Sequence, residues 1–211
     1  MSTPVHYHLV ALDEALAYEW RAIFKGVEDV SVSTGNILRH SADAIVSPAN
    51  SFGYMDGGID LVYSQHFGWD LEKRLRTVLI EQHDGELPVG QGVIVETAND
   101  AIPWLVSAPT MRVPMRIDET VNAFLAFRAV LRAVRDFNRA HLDSPIRTVL
   151  CPGLGTGEGR MPYNRCAWQM YCAYAAIERG RIETMGGLAG AVRSHISLLG
   201  RSLDEDWSEE R

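Results

Sequence analysis

Twice in this chain a short apolar run passes directly into a glycine-bearing loop and then into a segment with helical character. That repeated unit restricts the possible folds more than any other feature. The first copy is DAIVSPANSFGYMDGGIDL at residues 43–61, and the second is TVLCPGLGTGEGRMP at residues 148–162. The runs AIV and TVL are too short for core helices and read as buried strands, with Pro and Gly closing each. A strand, a glycine loop and a helix in that order make up the α/β unit in which loop amides and a helix N-terminus lie beyond the carboxyl end of the strand. Such an edge receives anions, and two such loops can hold a pyrophosphate between them.

The remaining segments fit the same architecture. Residues 5–10 alternate as a strand, and Asp13 is placed to cap a helix whose apolar positions Leu16, Trp20, Ile23 and Phe24 recur at spacings of three and four. Residues 27–33 read as a second strand ending in the turn Thr34-Gly35-Asn36. Helices are predicted at 59–67 and 69–83, the latter turning Leu71, Leu75, Val78 and Leu79 inward. The β-rich runs 92–97 and 104–108 flank the turn signal Asn99-Asp100 and pair as an antiparallel hairpin. Asp118 is expected to cap a long helix reaching about His141, and Pro162 to stand near the first turn of another. The fold class is therefore α/β: a three-layer α/β/α sandwich with a mixed central sheet, in one domain over residues 1–180. Residues 181–211 form a C-terminal extension, with a helix around 191–199 and a disordered end, DEDWSEER.

Composition narrows the function classes. A net charge of −7 over 211 residues provides no broad cationic face, so a nucleic-acid polymer is not an expected partner. The three cysteines, Cys151, Cys166 and Cys172, include no C-x-x-C pair and suggest neither a disulfide framework nor a zinc site. His6 and His8 share a strand face without a Cys or carboxylate partner, and a solvated face is a better account of them than a metal site. The opening MSTPVHYHLV has no basic region followed by an apolar one, and no run of about 18 apolar residues occurs, so a soluble cytoplasmic protein without a membrane segment is expected. The glycines do not fit rival motifs. A G-x-G-x-x-G frame begun at Gly153 or Gly155 ends on Glu158 or Arg160, and no Gly-Lys-Ser/Thr, H-E-x-x-H or G-x-S-x-G occurs.

The two loops together resemble the macro domain family. Ser47-Pro48-Ala49-Asn50 and Gly57-Gly58-Ile59-Asp60 look like its Asn-Ala-Ala-Asn turn and its glycine run before Val-Asp, with the Asn50 to Asp60 interval kept without a gap. Gly155-Thr156-Gly157 with Met161-Pro162 resembles its late phosphate loop, and Gly35-Asn36-Ile37 its Gly-Asp-Ile. The resemblance covers residues 35–179 and implies a ligand, ADP-ribose or an ADP-ribosylated substrate, bound with no metal or other cofactor. It places Asn36 and Ile37 at the adenine, where Asn36 is equally well read as a turn residue. Gly57, Gly58 and Ile59 face the pyrophosphate from one side, and Gly155, Thr156, Gly157, Glu158 and Gly159 from the other. By the same resemblance Asn50 holds the distal ribose and Asp60 positions or activates an attacking water, with a helix N-cap as the plainer reading of Asp60.

The chain departs from the family at Ser47, which stands where the first Asn is usual, and at Met55 and Asp56, which replace loop glycines. Asp56 either contacts the distal ribose, takes part in the chemistry or points away from the phosphates. Glu158 and Gly159 replace an aliphatic and aromatic pair, so Phe52, Tyr54 or Tyr163 would have to supply the ring beside the distal ribose. Two functions follow from the resemblance: hydrolysis of an ADP-ribosyl linkage on a protein side chain, a phosphate or an acetyl ester, or recognition of ADP-ribose without turnover.

Overall fold

The computed structural model of the chain describes residues 4–181 and 186–200. In order, the elements are β1 (His6–Ala11), α1 (Glu14–Ile23), β2 (Val30–Thr34), a 3-10 turn (Ile37–Arg39), β3 (Ala44–Ser47), α2 (Gly58–Phe67) and α3 (Asp70–Gln82). They continue with β4 (Val93–Glu96), β5 (Trp104–Ser107), α4 (Asn122–Ala140), β6 (Thr148–Cys151), α5 (Tyr163–Ile177) and α6 (Gly187–Leu198). The strands form one sheet in the order β2-β1-β6-β3-β5-β4. All pairs are parallel except β4 with β5, so the sheet is mixed as expected, and the 92–97 and 104–108 runs do pair as a hairpin.

The apolar strands are hydrophobic on both faces because helices cover both. Tyr7, Leu9, Val46, Val106 and Val149 face α1, α4 and α5, and join Trp20, Phe127 and Met170 in one core. Their strand neighbours Val10, Ile45, Leu105 and Leu150 point the other way, against Tyr63, Leu71, Leu75 and Leu79 of α2 and α3. This is the three-layer sandwich expected from the element order.

Two boundaries differ from expectation. Asp13 caps α1 as read, its carboxylate accepting from Ala15 N at 2.8 Å. Asp118 does not cap α4, which begins at Asn122 with Val121 in the capping position. The Asp118 carboxylate is taken by Arg116, and a tertiary contact replaces the cap: the buried Gln169 side chain accepts from Phe124 N at 3.1 Å. Helix α6 starts earlier than the predicted 191–199 segment. It is fastened to α5 through Trp168 Nε1, which donates to Ser197 O, and Gln169 Nε2, which donates to Leu198 O. The DEDWSEER end lies outside the described residues. No described helix is long and apolar enough to cross a membrane.

Candidate functional site

The parallel strands bring the glycine loops to one sheet edge. Strand β3 ends at Ser47 and β6, its neighbour, at Cys151, so the loops that follow leave side by side. The segment after β5 ties both in place. Asn50 forms a parallel bridge with Met111, Ser51 N donates to Arg112 O at 3.1 Å, and Ile117 N donates to Gly159 O at 2.8 Å. Each loop ends in a helix N-terminus without a side-chain cap. The first backbone bonds are Leu61 N to Gly57 O in α2 and Cys166 N to Pro162 O in α5; of the amides before Cys166, Arg165 N donates to Asn164 Oδ1 at 2.8 Å.

The first loop is held from within and from below. The Asn50 side chain folds back on it, Oδ1 accepting from Phe52 N at 3.0 Å and Nδ2 donating to Tyr54 O at 2.8 Å. Met55 is fully buried, and its side chain enters the core beside α2 and α3 instead of crowding the cleft. Both its backbone groups are satisfied by side chains: N donates to Glu72 Oε2 at 2.7 Å, and O accepts from Ser64 Oγ at 2.8 Å. Asp56, Gly57 and Gly58, which follow, are exposed, and Ile59 is half-buried.

Asp60 is the third residue of α2, not its cap, because the helix starts at Gly58 behind Gly57. Only 6% of its surface is exposed. Its Oδ1 accepts from Ser47 Oγ at 2.6 Å, a bond between the last residue of β3 and the first turn of α2. Burial pushes the carboxyl up to about 7, while the Ser47 hydroxyl pulls it down by favouring the charged form. A carboxyl that titrates near neutrality at a loop edge has the acidity expected of a general base.

The late loop leaves no room for a Cβ at three of its glycines, Gly153, Gly155 and Gly159. Gly155 has φ of +73°, in the left-handed region, and a Cβ there would lie 2.5 Å from Ile117 Cδ1. A Cβ on Gly159 would lie 2.6 Å from Gly155 O. Gly157 is different, with nothing within 4 Å of an added Cβ. It forms the exposed tip with Glu158, and Thr156 is half-buried beside them.

The other candidates divide along the same edge. Asn36 is exposed and caps the 3-10 turn, Oδ1 accepting from Leu38 N at 2.9 Å, while Ile37 is buried in the α2/α3 core. The Tyr163 hydroxyl donates to Asp13 Oδ2 at 3.1 Å, near the end of β1. Phe52 lies under the Arg112 guanidinium at 5.0 Å, with Arg112 also bound by Glu86, and Tyr54 lies under Arg76 at 4.3 Å. Both rings belong to the first loop, and each carries an arginine.

Sequence reasoning did not identify Glu72, Ser64, Ile117 or Arg112 as parts of the site, and it treated Ser47 only as a departure. Ser64, four residues after Asp60 on the same helix, carried a local signal; the others come together only through packing. His6 and His8 lie away from the loops. Each ring Nε2 hydrogen-bonds a β2 serine, Ser31 at 2.8 Å and Ser33 at 2.7 Å. Among the described residues no group of three or more His, Cys, Asp or Glu is arranged to hold a metal ion. A surface hollow of about 610 Å³ between α3 and β4 is lined by residues that include Arg74, Glu96 and Trp104. Trp104 begins β5 whereas the loops follow strand ends, so this hollow belongs to the opposite sheet edge.

Comparison with known proteins agrees with this geometry. A family model described as the macro domain matches residues 46–170. An uncharacterized protein of Aeropyrum pernix is 31% identical over 192 residues, covering 81% of this chain and 94% of its own length. Among solved structures, the macrodomain of Mycobacterium tuberculosis DarG superposes with a TM-score of 0.54 at 22% identity, over 67% of this chain and 87% of that one. Thermosipho africanus DarTG in complex with ADP-ribose superposes with a TM-score of 0.53 at 17% identity, over 67% of this chain and 37% of that one. The family match spans more than half of the sequence and contains both glycine loops, and the chain belongs to the macro domain family.

Proposed function

We propose that this protein binds ADP-ribose across the carboxyl edge of β6 and β3 and hydrolyses an ADP-ribosyl linkage without a metal, with Asp60 as the base that positions water. The single observation that carries the hydrolytic reading is the buried Asp60 carboxyl, held by Ser47 and titrating near neutrality. Ser47 donates to Oδ1, and in this reading Oδ2 is the oxygen that meets the water. The pyrophosphate would meet the α2 amides after Gly57 on one side and the tip Thr156-Gly157-Glu158 on the other. Asn36 serves the adenine end and Asn50 shapes the distal end. Three free cysteines, two of them buried, suit a reducing compartment, and cytoplasmic action is part of the proposal.

Calorimetric titration with ADP-ribose, with AMP as control, tests binding. Release of ADP-ribose from a mono-ADP-ribosylated protein by wild type and by Asp60→Ala tests catalysis. Loss of release in the variant supports the mechanism, and equal release by both defeats it. A second reading, recognition without turnover, is favoured by the Asn50 side chain, which is spent on its own loop, and by the slight exposure of Asp60. Binding by wild type with no release from any substrate would establish it.

A further inference from the structure

The hydrogen bond between Ser47 and Asp60 joins two side chains thirteen residues apart, and its surroundings make it an isolated contact. Ser47 is the last residue of β3 and lies on the same strand face as Ile45, toward α2 and α3. It is 0% exposed, and its 2.6 Å bond to Asp60 Oδ1 is a charge-assisted one whenever the carboxyl is ionised. The other hydroxyls of α2 are engaged elsewhere. Tyr63 donates to Val46 O at 3.2 Å, and Ser64 donates to Met55 O. Ser107, the register partner of Ser47 on β5, has a buried hydroxyl with no hydrogen-bond partner.

We infer that Ser47 is a positioning residue: its hydroxyl orients Asp60 and stabilises the ionised carboxylate, leaving the second oxygen for a water. The inference rests on the proposed hydrolytic reading of Asp60. The titratable neighbours supply no competing cation. Tyr63, on the same helix, is held neutral by burial and by Asp60, and the Cys151 thiol at the end of β6 is raised by burial. Burial raises the Asp60 carboxyl and the Ser47 hydroxyl lowers it. The uncapped N-terminus of α2 adds a weaker stabilisation of the anion.

The contact therefore decides how much base exists at neutral pH. Ser47→Ala removes the donor but leaves the desolvation, so the carboxyl retains its proton to a higher pH. A hydrogen bond to a charged group of this kind corresponds to a shift of about one pH unit, a tenfold change in the ionisation constant. Catalysis by Ser47→Ala falls about tenfold at pH 6 and recovers toward the wild-type rate near pH 9. A cavity or general loosening would lower activity at every pH.

The test titrates the Asp60 carboxyl carbon by NMR from pH 4 to 9 in the full chain, for wild type, Ser47→Ala, Ser47→Thr and Ser107→Ala. The same spectra report whether each variant is folded. Wild type is expected to titrate near 7, Ser47→Ala about one unit higher, and Ser47→Thr and Ser107→Ala with wild type. Superimposable curves for wild type and Ser47→Ala, or a shift in Ser107→Ala as large as that in Ser47→Ala, overturn the inference. Because titration requires no turnover, the two readings fail separately. An inactive wild type with the expected shift refutes hydrolysis alone, whereas an active enzyme without the shift refutes the role of Ser47 alone.

Discussion

Replacing Asp60 with Asn separates the cost of the buried carboxyl from its shape. Asn keeps the side-chain outline and an oxygen that accepts from Ser47, but it never ionises. In the folded protein the Asp60 proton is held until about pH 7, whereas an exposed Asp releases it near 3.8. The folded state thus binds the proton more tightly than the unfolded chain does. The associated stability is complete below about pH 4, declines between about 4 and 7, and is gone above 7. The difference of about three pH units corresponds to roughly 4 kcal/mol, a large part of the 5–15 kcal/mol typical of a domain. Asp60→Asn should match wild type near pH 4 and exceed it by up to about 4 kcal/mol at pH 8. Urea unfolding of both proteins at intervals from pH 4 to 9 provides the comparison. A stability difference that does not change with pH would refute the account of Asp60 as a desolvated carboxyl. The stabilised variant should also have lost any hydrolytic activity, the usual exchange at a functional site.

Four further outcomes follow from particular contacts. Gly157→Ala meets nothing within 4 Å and should leave stability within about 0.5 kcal/mol of wild type while weakening ADP-ribose binding about tenfold in calorimetry; unchanged affinity would remove the late loop from the site. Gly159→Ala, whose Cβ would strike Gly155 O, should cost about 1–3 kcal/mol in urea unfolding. Met55→Ala should cost about 2–5 kcal/mol because the buried side chain is core, and equal stability would show that the loop does not depend on it. The His8 imidazole is held below its ordinary 6.5 by burial, His40 and His6, so its stabilising contribution is present above about pH 6.5 and lost as pH falls. His8→Gln should flatten that acid-side loss, best measured in the Asp60→Asn background, where the opposing titration is absent.

The sheet and both loops were legible because their signals are local. AIV and TVL are apolar runs too short for helices, and the glycines behind them mark where the chain turns over the sheet edge. The start of α4 was not legible, because its first-turn amide is satisfied by Gln169, a residue 45 positions from Phe124. Met55 was visible as a departure from a glycine position, but its direction was not. Whether that side chain fills the cleft or the core depends on the gap between α2 and α3, which no local pattern describes. Glu72 and Ile117 escaped for the same reason: each reaches its loop only after a helix or a long connection has packed against the sheet.

The departures at Ser47 and Met55 are coupled through α2. Met55 enters the core, and its backbone is clamped by Ser64 of α2 and Glu72 of α3, so the loop before α2 is fixed from beneath. That fixed loop sets where α2 begins, and the start of α2 sets the height of Asp60 over the end of β3. Ser47 is short enough to lie beneath Asp60 and still donate to it at 2.6 Å. An unfavourable buried carboxyl persists only where neighbouring contacts leave it no alternative position, and here the core under Met55 supplies that restraint. Loosening the loop at Met55 should therefore reach Asp60 as well: in Met55→Ala its carboxyl gains access to water, and its titration moves down from about 7 toward the ordinary aspartate value. An unchanged Asp60 titration in folded Met55→Ala would show that the carboxyl is held by Ser47 and α2 alone, and would break the proposed coupling between loop and base.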